Sequence, residues 1–316
     1  SPVNSSEQSF SDWLKSFKKI ALKNGISEKT YNTAMFNVKF LPKVIEYDRF
    51  QPEFYEDTIT YITKRSSKKK LEKGISFYSK NKTLINNIDK EFLVEKELLL
   101  SLMAIETNYG TYVGKMDILS SLATLSFDKR RSVFFTNELI TILKLVDDGI
   151  VDHKTLFGSW AGAFGNFQFM PTTIKKYAID YNRNNSIELH NIEDSFASAA
   201  NYISKIGWKK SKPCFVKVEL SDNMPMNLLN TSARNIKNKK KLNYFKKYII
   251  DFEKLDINKD ITAAIITPDK EIVENANKLS PAYLVFDNYE LILKWNRSLR
   301  IALAVCTLKD KFSNEL

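Results

Sequence analysis

Apolar residues recur at helical spacing from the start of the chain. Phe10, Trp13, Leu14, Phe17, Ile20 and Ala21 share one face, so residues 7 to 36 predict amphipathic helix. Gly25, behind Lys23 and Asn24, reads as a helix stop, and Ser27 as the N-cap of the next helix. Residues 54 to 110 predict further helices ending at Gly110. Residues 129 to 148 repeat the pattern through Phe134, Phe135, Leu139, Leu143 and Val146 and stop at Gly149. Asp194 to Trp208 predicts a helix with a small-residue face of Ala197, Ala199 and Ala200. The period changes at Pro213. Cys214 to Leu220 alternates as a strand does, and Ile261 to Thr267 and Tyr283 to Phe286 are also β-like. A Lys-rich stretch, 233 to 247, lies between them, and Arg300 to Leu308 returns to a helical apolar run. The pattern predicts a mainly α (α+β) protein: a helical body over 1–212, completed by 300–316, and a smaller mixed segment over 213–299.

At 316 residues the chain buries roughly 75% of its unfolded surface, enough for a large core without staples. With 43% hydrophobic and 27% charged residues, it is not a disordered, collagenous or disulfide-scaffold chain. Nine Gly and eight Pro are few for an all-β fold of many tight turns. The longest apolar run, Leu98 to Ile105, is broken by Ser101, whereas a spanning helix needs about 20 residues, so no segment predicts a membrane span. The 48 Lys and Arg exceed the 37 Asp and Glu by 11, which favours acidic partners: nucleic acid, anionic lipid or an acidic polymer. Runs such as Lys68-Lys69-Lys70 and Lys239-Lys240-Lys241 read either as solvated faces or as a binding surface. Cys214 and Cys306 have no metal spacing; they read as two thiols or as one long-range disulfide. The start, Ser1 to Ser6, reads as a mature or trimmed N-terminus.

One carboxylate stands out. The run from Leu98 to Ile105 is apolar on every face, which predicts a buried helix, and it ends in Glu106-Thr107-Asn108-Tyr109-Gly110. A carboxyl group there is either desolvated, with a raised pKa suited to a general acid, or exposed on an emerging last turn. A second constellation runs from Gly158 to Pro171, Gly-Ser-Trp-Ala-Gly-Ala-Phe-Gly-Asn-Phe-Gln-Phe-Met-Pro. Its glycines permit close backbone approach, and Ser159 and Gln168 supply hydrogen-bonding groups. It is not a phosphate loop, because the Gly-Lys-[Ser/Thr] ending is missing. With His153 and His190 far apart and no Cys-x-x-Cys, no zinc site is expected.

These segments, in this order, resemble the lytic murein transglycosylase B family, which cuts peptidoglycan glycan strands. The resemblance also rests on Leu41-Pro42-Lys43-Val44-Ile45-Glu46 with Gln51-Pro52-Glu53-Phe54, on Ile118 to Phe127, and on Arg130-Arg131. It continues through Ala200-Asn201-Tyr202 and Lys294-Trp295-Asn296 with Ile301 to Val305, and it is poorest over 213–280. The resemblance implies a lysozyme-like core over about 96–212 in which Glu106 is the single catalytic acid. It places Ser159 and Gln168 in the cleft, and Tyr109, Tyr202, Trp295 and Asn296 on the substrate side, with Trp295 where the family often has Tyr. Arg130 and Arg131 would meet acidic peptide stems or lactyl groups. Asn166-Phe167 departs from the family pattern and is expected to narrow the cleft; Thr172-Thr173 keeps hydroxyls where Ser is common.

The implied reaction cleaves the bond between N-acetylmuramic acid and N-acetylglucosamine without water, leaving a 1,6-anhydro end. No cofactor is required. Asp180, Asn182, Asn184 and Glu188 resemble an EF-hand-like calcium loop, but Asn185 replaces the turn Gly and only two carboxylates remain, against a metal-free Asn-rich turn. The expected location is the bacterial periplasm, with membrane anchoring of a precursor left open. Glycan strands are the expected partner, with cell-wall synthesis or remodelling proteins as candidates and no nucleic acid. Three rivals remain: a catalytically silent glycan-binding relative, a hydrolytic muramidase, and a basic nucleic-acid-binding helical protein, which would show salt-sensitive DNA binding.

Overall fold

The computed structural model describes residues 5–50 and 55–316; the Gln51-Pro52-Glu53-Phe54 motif lies outside them. In chain order the helices are α1 (Ser5–Lys23), α2 (Glu28–Ala34), α3 (Pro42–Arg49), α4 (Thr58–Arg65), α5 (Lys68–Lys80), α6 (Lys82–Phe92) and α7 (Lys96–Thr107). Then follow β1 (Met116–Asp117), α8 (Ile118–Phe127), α9 (Ser132–Asp147), β2 (Phe157–Gly158), α10 (Pro171–Tyr177) and α11 (Ile192–Lys205). The remainder holds β3 (Phe215–Val218), β4 (Leu229–Asn230), β5 (Lys240–Lys241), β6 (Thr262–Ile266), β7 (Ala282–Val285), α12 (Asp287–Trp295) and α13 (Leu299–Ser313). The mainly α character expected from the periodicity is what the described residues show. Chain contacts divide the protein into two compact units, Ser1–Pro52 with Glu106–Tyr202, and Glu53–Ile105 with Ile203–Leu316.

The first unit is helical. Its centre is α8, buried from Ile118 to Ser126 and packed along α9. A helix satisfies the amides of nine successive buried residues internally, with no neighbouring strand needed. Phe10, Phe17 and Ala21 of α1 are buried, and Phe10 meets Phe127 edge-on at 5.6 Å. Each of the two phenylalanines contributes about 1.5–3 kcal/mol on burial. Ser27 caps α2, its hydroxyl oxygen accepting from the Thr30 N–H. Both residues also donate their hydroxyls to Asp147 at the end of α9, at 2.7 and 2.6 Å.

The second unit carries the sheet, ordered β3-β7-β6-β4, with β5 also on β6. All pairs are antiparallel except β4 with β6. Every residue of β7 is buried, and Ile265 and Leu284 pack with Leu242 and Phe245 in one cluster. Cys214, just before β3, is joined to Cys306 of α13, so the open choice between thiols and a disulfide falls to the disulfide. Closing 92 residues in the unfolded chain is worth about 4–5 kcal/mol in the chain-entropy account. Buried Glu95 supports α13: it accepts from the Trp208 indole at 3.0 Å and meets the half-buried Lys309 at 3.4 Å. No described helix is long and apolar enough to cross a membrane.

Candidate active site

Helix α7 delivers Glu106. Its residues from Leu98 to Ala104 are all buried, Ser101 included, as the apolar run predicts, and Glu106 on the last turn is half-buried. The helix then ends abruptly, with Asn108 at φ 49°, Tyr109 at φ 59° and Gly110 at φ 81°. Left-handed backbone costs a residue with a Cβ about 1–2 kcal/mol, so the surroundings must hold it there. Thr107 is the holding group. Its hydroxyl donates to the Asn166 carbonyl at 2.7 Å and accepts from the Gly110 N–H at 2.9 Å. Tyr109 is buried, and burial pushes its hydroxyl pKa well above the ordinary tyrosine value.

The partner of this turn is the glycine-rich loop, residues 158–170. It starts at the β1–β2 pair, where Met116 lies opposite Gly158, and a Cβ on Gly114 would overlap the Gly158 carbonyl. The Ser159 hydroxyl oxygen accepts from the N–H groups of Ala163 at 3.0 Å and Ala161 at 3.3 Å, which winds the loop around it. Gln168, at φ 54°, donates its amide N–H groups to the carbonyls of Val113 and Gly165, both at 3.0 Å. It thereby ties this loop to the one that follows Glu106. The loop exits into α10, whose first turn is capped by buried Glu138 of α9: the Thr172 N–H and hydroxyl donate to it at 2.9 and 2.6 Å.

Asn166 and Phe167 do not narrow a cleft. Both are buried, Phe167 edge-on to Phe196 at 5.3 Å, and Asn166 with its amide turned onto Ser195 Oγ at 3.0 Å and the His190 and Asn191 carbonyls at 3.3 Å. Apolar Phe167 pairs with the apolar face of α11, and the amide finds the acceptors at that helix's start.

Arg130 and Arg131 share a partner that the sequence did not single out. Asp48, buried at the end of α3, accepts from Arg131 Nη2 at 2.5 Å and from Arg130 Nη1 at 3.2 Å. Both guanidiniums stay about half exposed, at 52 and 47%, so one buried charge orients two outward cations. The exposed-side aromatics Tyr47 and Trp160 approach to 6.4 Å. Tyr202 packs against Tyr177 at 4.6 Å and Phe169 at 5.8 Å. Trp295 and Asn296 belong to the second unit, at the end of α12.

The side-chain oxygens of the Asn-rich loop are engaged by groups of the loop itself. Both Asp180 oxygens accept backbone N–H groups, from Asn184 at 3.2 Å and Asn185 at 2.8 Å. The Glu188 oxygens take the amides of Asn184 and Asn191, at 2.6 and 3.1 Å. The oxygens of Asn182 and Asn184 accept the N–H groups of Asn184 and Ser186. Among the described residues no group of three or more His, Cys, Asp or Glu is placed to hold a metal. Buried Asp194 of α11 braces the loop instead, accepting from Tyr181 N–H at 2.8 Å, Glu188 N–H at 2.9 Å and Asn182 N–H at 3.4 Å. Asp48, Thr107, Glu138 and Asp194 were thus missed by sequence reasoning. Asp48 and Thr107 lie beside or inside quoted motifs; Glu138 and Asp194 carried the signal of an acid within an apolar helical face.

The family described as "Transglycosylase SLT domain" matches residues 9–310. Membrane-bound lytic murein transglycosylase B of Escherichia coli (strain K12) is 37% identical over 141 residues, 44% of this chain and 39% of that protein. The chain therefore spans well under half the length of this curated relative. The crystal structure of SltB3 from Pseudomonas aeruginosa in complex with NAG-NAM-pentapeptide superposes with a TM-score of 0.85 at 29% identity, over 97% of this chain and 80% of that one. The Escherichia coli lytic transglycosylase Slt35 in complex with calcium superposes with a TM-score of 0.77 at 24% identity, over 99% and 94%, a likeness of fold.

Proposed function

The chain belongs to the transglycosylase SLT domain family, and on that premise we propose that it is a peptidoglycan lytic transglycosylase with Glu106 as its single acid and base. The observation that carries this reading is the placement of Glu106. It is half-buried just beyond the buried stretch Leu98–Ala104, on a turn fastened through Thr107 to the loop that bears Ser159 and Gln168.

Most glycosidases divide the work between two carboxylates. Here the protonated Glu106 gives its proton to the glycosidic oxygen between N-acetylmuramic acid and N-acetylglucosamine, and the bond from that oxygen to C1 breaks. Positive charge develops at C1, where the substrate's own N-acetyl group supports it. The Glu106 carboxylate then takes the proton of the C6 hydroxyl as that oxygen attacks C1. The new C1–O6 bond closes a 1,6-anhydro ring, Glu106 regains the proton it gave, and no water is consumed. Ser159 and Gln168 position the turn and the sugars, an orienting role that can supply several kcal/mol to such a reaction. The catalytic core spans about 96–212, with Arg130 and Arg131 toward acidic substrate groups and Tyr109, Tyr202, Trp295 and Asn296 completing the substrate side.

Glycan strands bearing peptide stems are the substrate class, as the ligand of the SltB3 structure suggests. The periplasm suits the Cys214–Cys306 disulfide, since such bonds persist in oxidising compartments. None of these steps calls on calcium. Mass spectrometry of digested sacculi tests the reading. Anhydro ends are expected, with Glu106→Gln folded and slower by at least about a hundredfold. Hydrated reducing ends would make the enzyme a muramidase, and unchanged turnover in Glu106→Gln would remove that residue from the reaction.

A further inference from the structure

The first unit holds a groove that is separate from the residues around Glu106. A cavity of about 700 Å3 is lined by Leu119 and Ser120 on the first turn of α8 and by Met116 and Asp117 just before it. A second stretch of lining comes from the end of α2 and the segment after it, with Asn37, Lys39 and Leu41. A third comes from the 153–155 turn and β2, with His153, Lys154 and Phe157. Neither Glu106, Ser159 nor Gln168 is among the lining residues. The walls are fastened. The Lys39 N–H donates to Ser120 Oγ and the Leu41 N–H to Thr124 Oγ1, each at 3.0 Å, which lays this irregular segment on α8. Phe157 pairs with Asp117 across β2 and β1, and Asp152 caps the 153–155 turn by accepting from the Lys154 N–H at 3.0 Å. A groove fixed in advance loses little order when a ligand enters.

The groove is positive. Asp117 is the one acid in its lining, and that carboxylate is spent as the N-cap of α8, accepting the Ser120 N–H at 3.3 Å and the Ser120 hydroxyl. Lys39 and Lys154 are exposed and have no ion pair among the described residues. Folding does not account for them, because cations are disfavoured at the N-terminal end of a helix and Asp117 already answers that end. Phe157 is 50% exposed although Gly158 beside it is buried, so its ring offers a flat apolar face. Thr33 and Asn37 add a hydroxyl and an amide. A flat face, neutral hydrogen-bonding groups and two ammonium groups together suit a sugar ring that carries a carboxylate. The volume lies in the range of sites for small ligands or short segments of a polymer. A hollow of this kind takes a strand laid into it, whereas a lipid surface calls for a flat or projecting face.

We infer that this groove is a second glycan-binding site, which holds a peptidoglycan strand by its carboxylates and a sugar face and so keeps the protein on its polymer. The inference rests on the proposed function for the identity of that polymer. The strand held here is independent of the one cut at Glu106.

The test is adsorption to purified sacculi, measured by co-sedimentation in the Glu106→Gln background so that the polymer stays intact. Replacing Lys39 and Lys154 together with Ala is expected to weaken adsorption about tenfold. Phe157→Ala is expected to weaken it about threefold, and Phe157→Trp to preserve it. Sacculi with amidated carboxylates are expected to bind the unsubstituted groove as weakly as untreated sacculi bind the double variant, with no further loss in that variant. With Glu106 intact, cleavage of a soluble stem-free tetrasaccharide is expected to be the same with and without the two lysine substitutions. Unchanged adsorption of the variants, or equal losses of adsorption and of tetrasaccharide cleavage, overturns the groove as a glycan site. Lysine-dependent binding to phosphatidylglycerol vesicles with adsorption to sacculi unaltered also overturns it and makes the partner a lipid surface. Lysine-dependent adsorption without any cleavage by the protein that keeps Glu106 removes the enzymatic reading and leaves the groove standing.

Discussion

Loops 158–170 and 180–191 lie in the same unit, and both are fixed by side chains bonded to main chain, but the bonds leave different atoms available. In the first, Gln168 uses its amide hydrogens on two carbonyls while its own carbonyl oxygen has no partner among the described residues. The Ser159 oxygen accepts two N–H groups and keeps its proton to donate. That loop is stiff and still offers polar groups to a ligand. In the second, the oxygens that would face a cation already accept N–H groups, and Asp194 closes it from inside. Stiffness has the same origin in both; chemistry survives only where the bonding atom is not the one the ligand needs. Asn166 joins them, its carbonyl holding Thr107 and its amide holding the carbonyls of His190 and Asn191.

The largest expected effect comes from removing the inner brace. Asp194→Ala orphans three backbone N–H groups in a buried site, a loss of about 3–5 kcal/mol of stability, measured by chemical denaturation. Asp194→Asn separates charge from shape. Burial raises the Asp194 pKa, against the N–H groups that lower it, so the folded protein holds this proton more tightly than the unfolded chain. That contribution is fully present below the ordinary aspartate value and is lost as pH rises through the folded-state value. The Asn variant is expected to lose this falling slope on the acidic side; an unaltered pH profile would mean that Asp194 titrates normally.

Next in size is the joint between the loops. Asn166→Ala removes the amide bonds to Ser195, His190 and Asn191 and is expected to cost about 1–3 kcal/mol. It keeps the backbone carbonyl that Thr107 uses, but loosens the segment carrying it. Turnover on sacculi is therefore expected to fall about ten- to a hundredfold at saturating substrate, with glycan affinity little changed. A loss of affinity with intact turnover would place Asn166 on the substrate side and erase the distinction between the loops.

Much of this was legible in the sequence because it depends on period. Phe10, Phe17 and Ala21 are buried as their spacing requires, Ser27 caps α2, and the alternation after Pro213 becomes β3. Ile20 obeyed the same spacing yet is 46% exposed, since a period finds a face and not its edge. The end of the apolar run marked where burial stops, and Glu106 there is half-buried. What escaped was pairing at a distance: Asp48 with Arg130 and Arg131 is 82 and 83 positions away, Thr107 with Asn166 is 59, and Cys214 with Cys306 is 92. A local pattern holds no information on such partners. The narrowed cleft expected from Asn166-Phe167 failed for a related reason: side-chain size says nothing about the side of the backbone on which it lies.

The smallest expected effect is the response to calcium, and it separates the two loops most cleanly. A loop with free carboxylates at EF-hand spacing binds with a Kd of about 1–10 μM, and at about 1 mM calcium it would gain roughly 3–4 kcal/mol. Here a cation must first displace the N–H groups of Asn184 and Asn185 from Asp180 and the amides of Asn184 and Asn191 from Glu188. Each displaced donor loses a hydrogen bond of about 0.5–1.5 kcal/mol, and two carboxylates return little attraction in exposed surroundings. The expected gain at that concentration is below about 0.1 kcal/mol, a change in melting temperature of under about half a degree. Chelation should leave melting and turnover alike. A rise of several degrees on adding calcium would show that the amides yield to the cation, and that the second loop, like the first, keeps its oxygens ready for a ligand.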